Sequence, residues 1–131
     1  MNTKLDKILA EISAGELIDK ITILEIKKAK ISNNEKLLDI EKELLSLNNT
    51  MKKFIPEDGK ILKFKDELRS INLKLWDIED GKRIAEKNNN FDSKFIELAR
   101  NVYKFNDERA KIKFKINQLL GSNIKEVKSH F

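Results

Sequence analysis

The apolar residues of this chain recur every three or four positions over long stretches, and the clearest series lies in its last third. Nine positions follow one another at this spacing, and eight are apolar: Phe91, Phe95, Leu98, Val102, Phe105, Arg109, Ile112, Ile116 and Leu119. Such spacing places side chains on one face of an α-helix. The series therefore predicts a long helix packed against partners, with Arg109 as the one charged member of its packing face.

The same spacing, with start and stop signals, predicts two helices in the first half of the chain. Ser13 and Glu16 have the spacing of a capping box, which begins a helix from about Ala14 to Ile31. A second helix carries apolar residues at three-four spacing from Leu37 to Phe54. It ends before Pro56, because proline disfavours helix in the residue that precedes it.

Two longer helices are predicted in the second half. The third has its apolar face between Ile61 and Ala85, and a turn follows at residues 88–90. Asp92 is placed to cap the fourth helix, and Gly121 to stop it. Each would span about 27 residues, or about 40 Å. Because only a short turn joins them, we expect a long antiparallel hairpin.

The fold class predicted from these elements is all-α, an antiparallel bundle of about four helices in a single domain covering residues 1–131. Residues 1–12 form a short N-terminal segment with one or two amphipathic turns, and residues 122–131 a C-terminal tail. With 40% hydrophobic and 37% charged residues the chain is globular. No apolar run approaches the roughly 18 residues that a membrane helix needs.

The first helix has apolar residues on two opposite sides, which bears on partners. Leu17, Ile21 and Leu24 lie on one side, and Ile23 and Ile26 on the other. Together with hairpin surface that the shorter helices cannot cover, this predicts a homodimer or another protein partner. The alternative is that the first helix is central in the monomer.

Charge and cysteine content limit the remaining classes. The formal net charge is +5, and residues 91–131 hold nine basic and five acidic side chains. The basic residues are spread around the predicted helix among acidic ones, whereas nucleic-acid binders cluster them on one face, so we do not expect nucleic-acid binding. Zero cysteines and an N-terminus without an apolar stretch favour a cytoplasmic protein.

A dense polar group near the end of the third helix is the first candidate site. Trp76 begins it, and Glu79 and Asp80 are spaced to reach Arg83 on one helix face. Asp77 and Asp80 also share a face, so they are weak candidates for holding a divalent ion. The alternative is a salt-bridged helix end with no ligand.

The second candidate is a polar stripe beside the apolar face of the fourth helix. Its members lie at helical spacing: Ala99, Tyr103, Asn106, Ala110, Lys113 and Asn117. Arg100, Asp107 and Arg109 lie nearby, so the stripe could recognise a carboxylate or phosphate. The alternative is a set of buried polar contacts that fixes helix register. In either case Arg109 should have acidic or polar partners or reach water, because an unpaired buried guanidinium is costly.

Several stretches of the chain resemble a bacterial family of small proteins catalogued only as a domain of unknown function. They are Gly15 to Leu24, Leu75 to Asp80, Phe91-Asp92, Phe95-Ile96, Leu98-Ala99-Arg100, Val102-Tyr103, Asn106-Asp107 and Arg109-Ala110. The likeness runs from about Ser13 to Ser122. It implies no activity, because that family brings no assigned catalytic residues.

A fainter resemblance, to the small all-α chorismate mutases, rests on residues 68–72, Arg83 and Lys94. That family uses Arg and Lys to grip a dicarboxylate. Here the spacing from Arg69 to Arg83 is shorter than the family's pattern, and Asn72 stands where an acid is expected. These departures argue against carrying that activity over.

Two functions therefore stay open. The first is a non-enzymatic interaction or assembly module, favoured because no residue set has the spacing of a known catalytic device or cofactor site. The second is a small enzyme or binding protein for an anionic metabolite, phosphate- or carboxylate-bearing and possibly with Mg²⁺. In it Arg83, Arg100, Arg109 and Lys113 would grip the anion. A solvent-open cavity at Arg100 and Arg109 would favour the second function, and a closed packing face the first.

Overall fold

Four α-helices account for most of the molecule, and their bounds follow the capping signals of the sequence. In the computed structural model, which describes residues 5–124 and residue 127, α1 spans Ala14–Lys30, α2 Asn34–Phe54, α3 Gly59–Lys87 and α4 Ser93–Leu120. The described residues contain no β-strand. The predicted all-α fold of four helices is confirmed, and none of these four helices combines the length and apolar character needed to cross a membrane.

The helix ends form largely as the sequence predicts. The Ser13 hydroxyl accepts a hydrogen bond from the Glu16 amide at 3.1 Å, and the Asp92 carboxylate caps α4. Gly121 ends α4 in the left-handed conformation at φ 62°, which glycine adopts without strain. The Glu16 side chain does not complete a capping box. Its carboxylate accepts a hydrogen bond from Lys113 of α4 instead.

Helix α1 occupies the centre of the fold, because it contacts each of the other three helices. Leu17, Ile18, Ile21, Leu24 and Ile26 are all buried on it. Leu17, Ile21 and Leu24 on one side and Ile26 on the other are thus buried within one chain, and Ile23 is half-buried. The central position, the alternative to a dimer contact, accounts for them.

Helices α3 and α4 form the predicted antiparallel hairpin and share the most extensive contact in the molecule. Near its outer end Gly81 lies against Leu98, and an added Cβ at Gly81 would come within 3.0 Å of Leu98 Cδ1. This close approach explains a glycine inside a long helix. Helix α2 packs on α1 alone among the described helices, so the outer half of the hairpin remains uncovered.

Three residues expected on the apolar faces are exposed instead. Phe54, Phe91 and Leu119 lie at the ends of their elements, where no neighbouring helix covers them. Lys113 and Asn117 are buried near the end of α4, because α1 packs against their side of the helix. Apolar spacing is a sound guide to the packed face in mid-helix and fails in the last turns.

The prediction for the segment before α1 is wrong. Residues 5–12, predicted as amphipathic turns, form no helix, and Leu5 and Leu9 are exposed. The tail after α4 is partly described: Ser122 accepts a hydrogen bond from the Ala14 amide at 3.0 Å, which ties it to the start of α1. Residues 1–4, 125–126 and 128–131 of the predicted segment and tail lie outside the described residues.

Candidate functional site

A charged network lies where α1 meets the α3–α4 hairpin, and Asp19 is its centre. The Asp19 side chain is fully buried, and its carboxylate accepts hydrogen bonds from Arg109 Nε at 2.9 Å and from Arg109 Nη2. This two-point geometry is the strong form of a carboxylate–guanidinium pair. The expectation that Arg109 has an acidic partner is confirmed.

Asn72 of α3 extends the network to the third helix. Its side-chain amide donates to Asp19 Oδ1 and to Thr22 Oγ1, both at 2.9 Å. Thr22 in turn donates to the Asp19 carbonyl at 2.7 Å. No buried side-chain nitrogen or oxygen in the described residues lacks a hydrogen-bond partner. A fully satisfied polar network of this kind fixes the register of the helices that it joins.

The network continues toward the start of α1. The buried Lys113 ammonium lies 2.7 Å from Glu16 Oε2 and 3.9 Å from Asp19 Oδ2. One turn further along α4, Asn117 Oδ1 accepts a hydrogen bond from the Gly15 amide at 2.7 Å. These contacts hold the first turn of α1 tightly against α4.

A groove of about 470 Å³, which we call the hairpin groove, opens beside this network between α1, α3 and α4. It is lined by apolar residues and by polar or charged ones: Ile23, Ile26, Asn72, Leu75, Trp76, Glu79, Asp80, Arg83, Val102, Asn106 and Arg109. Its length along α3, from Asn72 to Arg83, is about 16 Å at about 1.5 Å per residue. Its volume lies in the range of small-molecule sites.

The groove lies beside the point where α1 crosses the α3–α4 hairpin, since Gly15 contacts Asn117 of α4 and Glu25 contacts Arg69 of α3. At Asp19, α1 fills the valley between α3 and α4 and reaches Asn72 and Arg109. Ile23 and Ile26, further along α1, form one wall of the groove. Beyond them the valley stays open to solvent, and Glu79, Asp80, Arg83 and Asn106 are exposed along it.

The charged residues of the groove do not pair as predicted. Arg83 has no ion pair within 4.0 Å in the described part of the chain, so the expected Glu79–Arg83 and Asp80–Arg83 pairs are wrong. Lys82 lies 3.5 Å from Glu79 instead. Arg83 is an exposed residue that lines the groove.

The fold brings six of the ten predicted ligand-binding candidates into this groove: Trp76, Glu79, Asp80, Arg83, Asn106 and Arg109. They come from two helices that the sequence analysis treated as separate candidates. Antiparallel pairing of α3 and α4 places the end of α3 beside the start of α4. The two candidate sites therefore contribute residues to one groove.

The other four candidates lie elsewhere. Arg100 lines a second cavity, of about 400 Å³, which α4 forms alone, Tyr103 is exposed, and Lys113 belongs to the buried network. Asp107 is half-buried and is not among the groove residues. No group of three or more His, Asp or Glu side chains in the described residues could hold a metal ion, so the Asp77–Asp80 pair has no third protein ligand there.

The sequence did not predict the roles of Asp19 and Asn72. Asp19 binds Arg109, and Asn72 binds Asp19 and lines the groove. A signal was present in α1, because Gly15, Asp19 and Thr22 form a small or polar stripe at helical spacing in an otherwise apolar helix. Asn72 sits within the apolar series of α3. Interrupted apolar faces on three helices are typical of one shared polar network.

A second charged cluster ties α1 to α3 on the outer surface. Arg69 donates to Glu25 Oε1 at 2.8 Å and to Asp66 Oδ1 at 3.1 Å. The hydrogen bond that Arg69 donates to Glu25 raises the pKa of Arg69. Partial desolvation opposes this shift, and the charges of Glu25 and Asp66 add to it. A raised pKa of a cation stabilises the fold fully below the ordinary value and is lost only as the pH rises through the folded value. The contribution of Arg69 is therefore present throughout the physiological range.

Comparison with known proteins adds a family. The model of a "Family of unknown function (DUF6165)" matches residues 8–130, nearly the whole chain. No curated protein and no solved structure matches it.

Proposed function

The chain belongs to the DUF6165 family of unknown function, and from the geometry of the hairpin groove we propose that it binds a small anionic metabolite carrying a phosphate or carboxylate. One observation carries this proposal. Arg83 lines a groove of ligand size between three helices and has no ion pair among the described residues. A guanidinium matches the planar oxygens of carboxylate and phosphate with two parallel hydrogen bonds.

The rest of the groove supports a ligand with an organic body. Ile23, Ile26, Leu75 and Val102 offer apolar surface, and the Trp76 ring offers a flat one. Apolar walls with a few polar groups are the usual composition of small-molecule sites. Asn106 adds an amide that can donate to the ligand or accept from it.

We propose binding without catalysis. The groove residues include no Ser, Cys, His or Lys, so they lack the usual nucleophile beside a base. We further propose a cytoplasmic location and no nucleic-acid partner, supported by the absence of cysteine and by the mixing of basic with acidic residues.

A ligand screen by thermal unfolding tests this function. Inorganic phosphate, glucose 6-phosphate, AMP and citrate are each titrated with and without Mg²⁺. One anion should raise the melting temperature, and the rise should grow with its concentration. At 100 times its Kd the ligand should stabilise the fold by about 2.7 kcal/mol. The Arg83→Met variant should bind that anion about 10- to 100-fold more weakly, because a charged hydrogen-bonded contact is worth about 1.5–3 kcal/mol.

Arg100→Met is the matched control, because Arg100 is an exposed arginine of the same hairpin outside the groove. It should leave the affinity unchanged. Equal losses in the two arginine variants would contradict binding at the groove. A flat response to all four anions would contradict it as well if the amine-bearing acids titrated below also fail to bind.

A second candidate function is the interaction or assembly module, with a second copy or another protein as partner. Large apolar side chains on the outer sides of the hairpin favour it. Ile84, Ile96 and Tyr103 are 60%, 55% and 55% exposed, and neither α1 nor α2 covers them. Ile96 and Tyr103 lie seven residues apart on the same face of α4, and Ile84 lies on α3. Exposed apolar residues that form a patch often mark a protein contact.

For a homodimer, light scattering after size exclusion should give twice the 15.3 kDa chain mass at about 100 μM. Ile96→Glu should return the mass to that of one chain, because a buried charge in an apolar contact is costly. Leu45→Glu, at an equally exposed leucine of α2, should not. A monomeric parent chain at this concentration would eliminate the homodimer.

A further inference from the structure

We infer that the ligand of the hairpin groove is a zwitterion, which carries an ammonium group in addition to the anionic group. This inference rests on the proposed function and specifies its substrate class. It follows from the charges along the rim of the groove. A site for a purely anionic ligand would have mainly basic side chains, whereas this rim also has acidic ones.

Four charged side chains line the groove, and one of them is already neutralised. Arg109 donates two hydrogen bonds to the buried Asp19 carboxylate, so its charge is balanced inside the protein. The rim is left with Glu79, Asp80 and Arg83. Glu79 shares its charge with Lys82 at 3.5 Å, so Asp80 is the unpaired carboxylate beside the one guanidinium. A ligand with only negative charge at Arg83 would be repelled by it.

The carboxylates are available to a ligand. Asp80 has no ion pair within 4.0 Å among the described residues, and Glu79 has only the 3.5 Å contact with Lys82. Asp80 and Arg83 are three residues apart on one helix, a spacing at which opposite charges commonly pair. They do not pair here, so each can meet the opposite charge of one bound molecule.

Trp76 places an aromatic surface beside the acidic side of the rim. It precedes Asp80 by four residues on the same face of α3 and lines the same groove. An aromatic face with a neighbouring carboxylate is a favourable environment for an ammonium group. Aromatic, acidic and basic residues thus follow one another within about 10 Å of α3, at about 1.5 Å per residue.

This order specifies the ligand chemistry. The ammonium group would lie between Trp76 and the carboxylates, and the phosphate or carboxylate at Arg83. The two charges of the ligand are then separated by about one helical turn, or about 5 Å. Compact molecules with an amine and an acid a few bonds apart, such as amino acids and amino-sugar phosphates, meet this condition.

Calorimetric titration of two matched sets of probes tests the inference. The first set is glucosamine 6-phosphate, glucose 6-phosphate and glucosamine, and the second is phenylalanine, 3-phenylpropionate and phenethylamine. In one set the zwitterion should bind at least about 10-fold more tightly than either singly charged analogue, which corresponds to about 1.4 kcal/mol. The set that responds identifies the anionic group as phosphate or carboxylate.

Variants that remove a charge and keep nearly the same shape test which residues bind the ammonium group and which bind the anionic group. Asp80→Asn with Glu79→Gln should abolish the preference for the zwitterion and leave the purely anionic analogue bound equally or more tightly. Arg83→Met should weaken both. Glu97→Gln, in the second cavity on α4, is the control. It should change neither the affinity for the zwitterion nor the affinity for the purely anionic analogue.

The outcomes separate the inference from the proposed function. If the purely anionic analogue binds as tightly as the zwitterion, the inference is overturned and the anion-binding function stands. If none of the six probes binds and the anions of the thermal screen are also inactive, both are overturned. A preference for the zwitterion that survives Asp80→Asn with Glu79→Gln also overturns the inference.

Discussion

Replacing Arg109 by methionine is expected to lower the free energy of unfolding by about 3–5 kcal/mol, because it leaves the Asp19 carboxylate buried without its partner. Asp19 is fully buried, and after the substitution its nearest cation would be Lys113, 3.9 Å away and engaged with Glu16. Methionine keeps the apolar stem of the side chain and removes only the charge and its hydrogen bonds. Urea unfolding followed by circular dichroism measures the loss.

Two comparisons make this result specific. Arg100→Met, at an exposed arginine of the same helix, should change the stability by less than about 0.5 kcal/mol. The double variant Asp19→Asn with Arg109→Met should recover much of the loss, because no buried charge remains and Asn72 can still donate to the new amide. A loss below about 1 kcal/mol for Arg109→Met would mean that the buried pair does not stabilise the fold.

Gly15→Ala should cost about 2–3 kcal/mol, the upper part of the usual range for overpacking. A Cβ at Gly15 would lie 2.6 Å from the Lys113 carbonyl oxygen and 3.0 Å from Asn117 Oδ1. The Lys113 carbonyl oxygen belongs to the backbone of α4 and cannot move without distorting that helix, so α1 must shift. That shift would also stretch the 2.7 Å hydrogen bond from the Gly15 amide to Asn117.

Gly59→Ala is the matched control for this glycine. Gly59 is also in the first turn of a helix, and an added Cβ there meets no atom within 4 Å. Alanine should therefore leave the stability unchanged or raise it by up to about 1 kcal/mol through its better helix propensity. Equal effects at the two glycines would show that the close approach of α1 to α4 is not what matters.

The helices and several members of the network could be predicted from sequence because their signals are local. Caps at Ser13, Asp92 and Gly121 and the three-four spacing of apolar residues set the helix bounds. The position of Arg109 in a packing face required an acidic or polar partner, which exists. What the sequence could not supply was the partner itself, because Asp19 lies ninety residues away and meets Arg109 only through tertiary packing.

The groove could not be predicted for a similar reason. Its existence depends on where α1 crosses the α3–α4 hairpin, and its composition depends on which residues of the two hairpin helices face each other. Local spacing even misled at Arg83, where an ion pair within the helix was expected and the side chain lines the groove instead. Spacing shows which contacts are possible, whereas packing decides among them.

The buried network and the groove share Arg109 and Asn72, and this sharing links stability to function. Both side chains are fixed by Asp19 on one side and line the groove on the other. The inner end of the groove is therefore held rigidly before any ligand arrives, which lowers the entropic cost of binding. The outer end, at Asp80 and Arg83, is exposed and carries the charges that we propose select the ligand.

Trp76 allows the most direct test of ligand binding at the groove, because it is the one tryptophan of the chain and it lines that groove. Its fluorescence is followed while glucosamine 6-phosphate or phenylalanine is added to the parent chain and to Arg83→Met. We expect a saturable change in emission with the Kd measured by calorimetry, displaced at least about 10-fold in the variant. Emission that stays constant while calorimetry records binding would place the ligand outside the groove and contradict the proposed site.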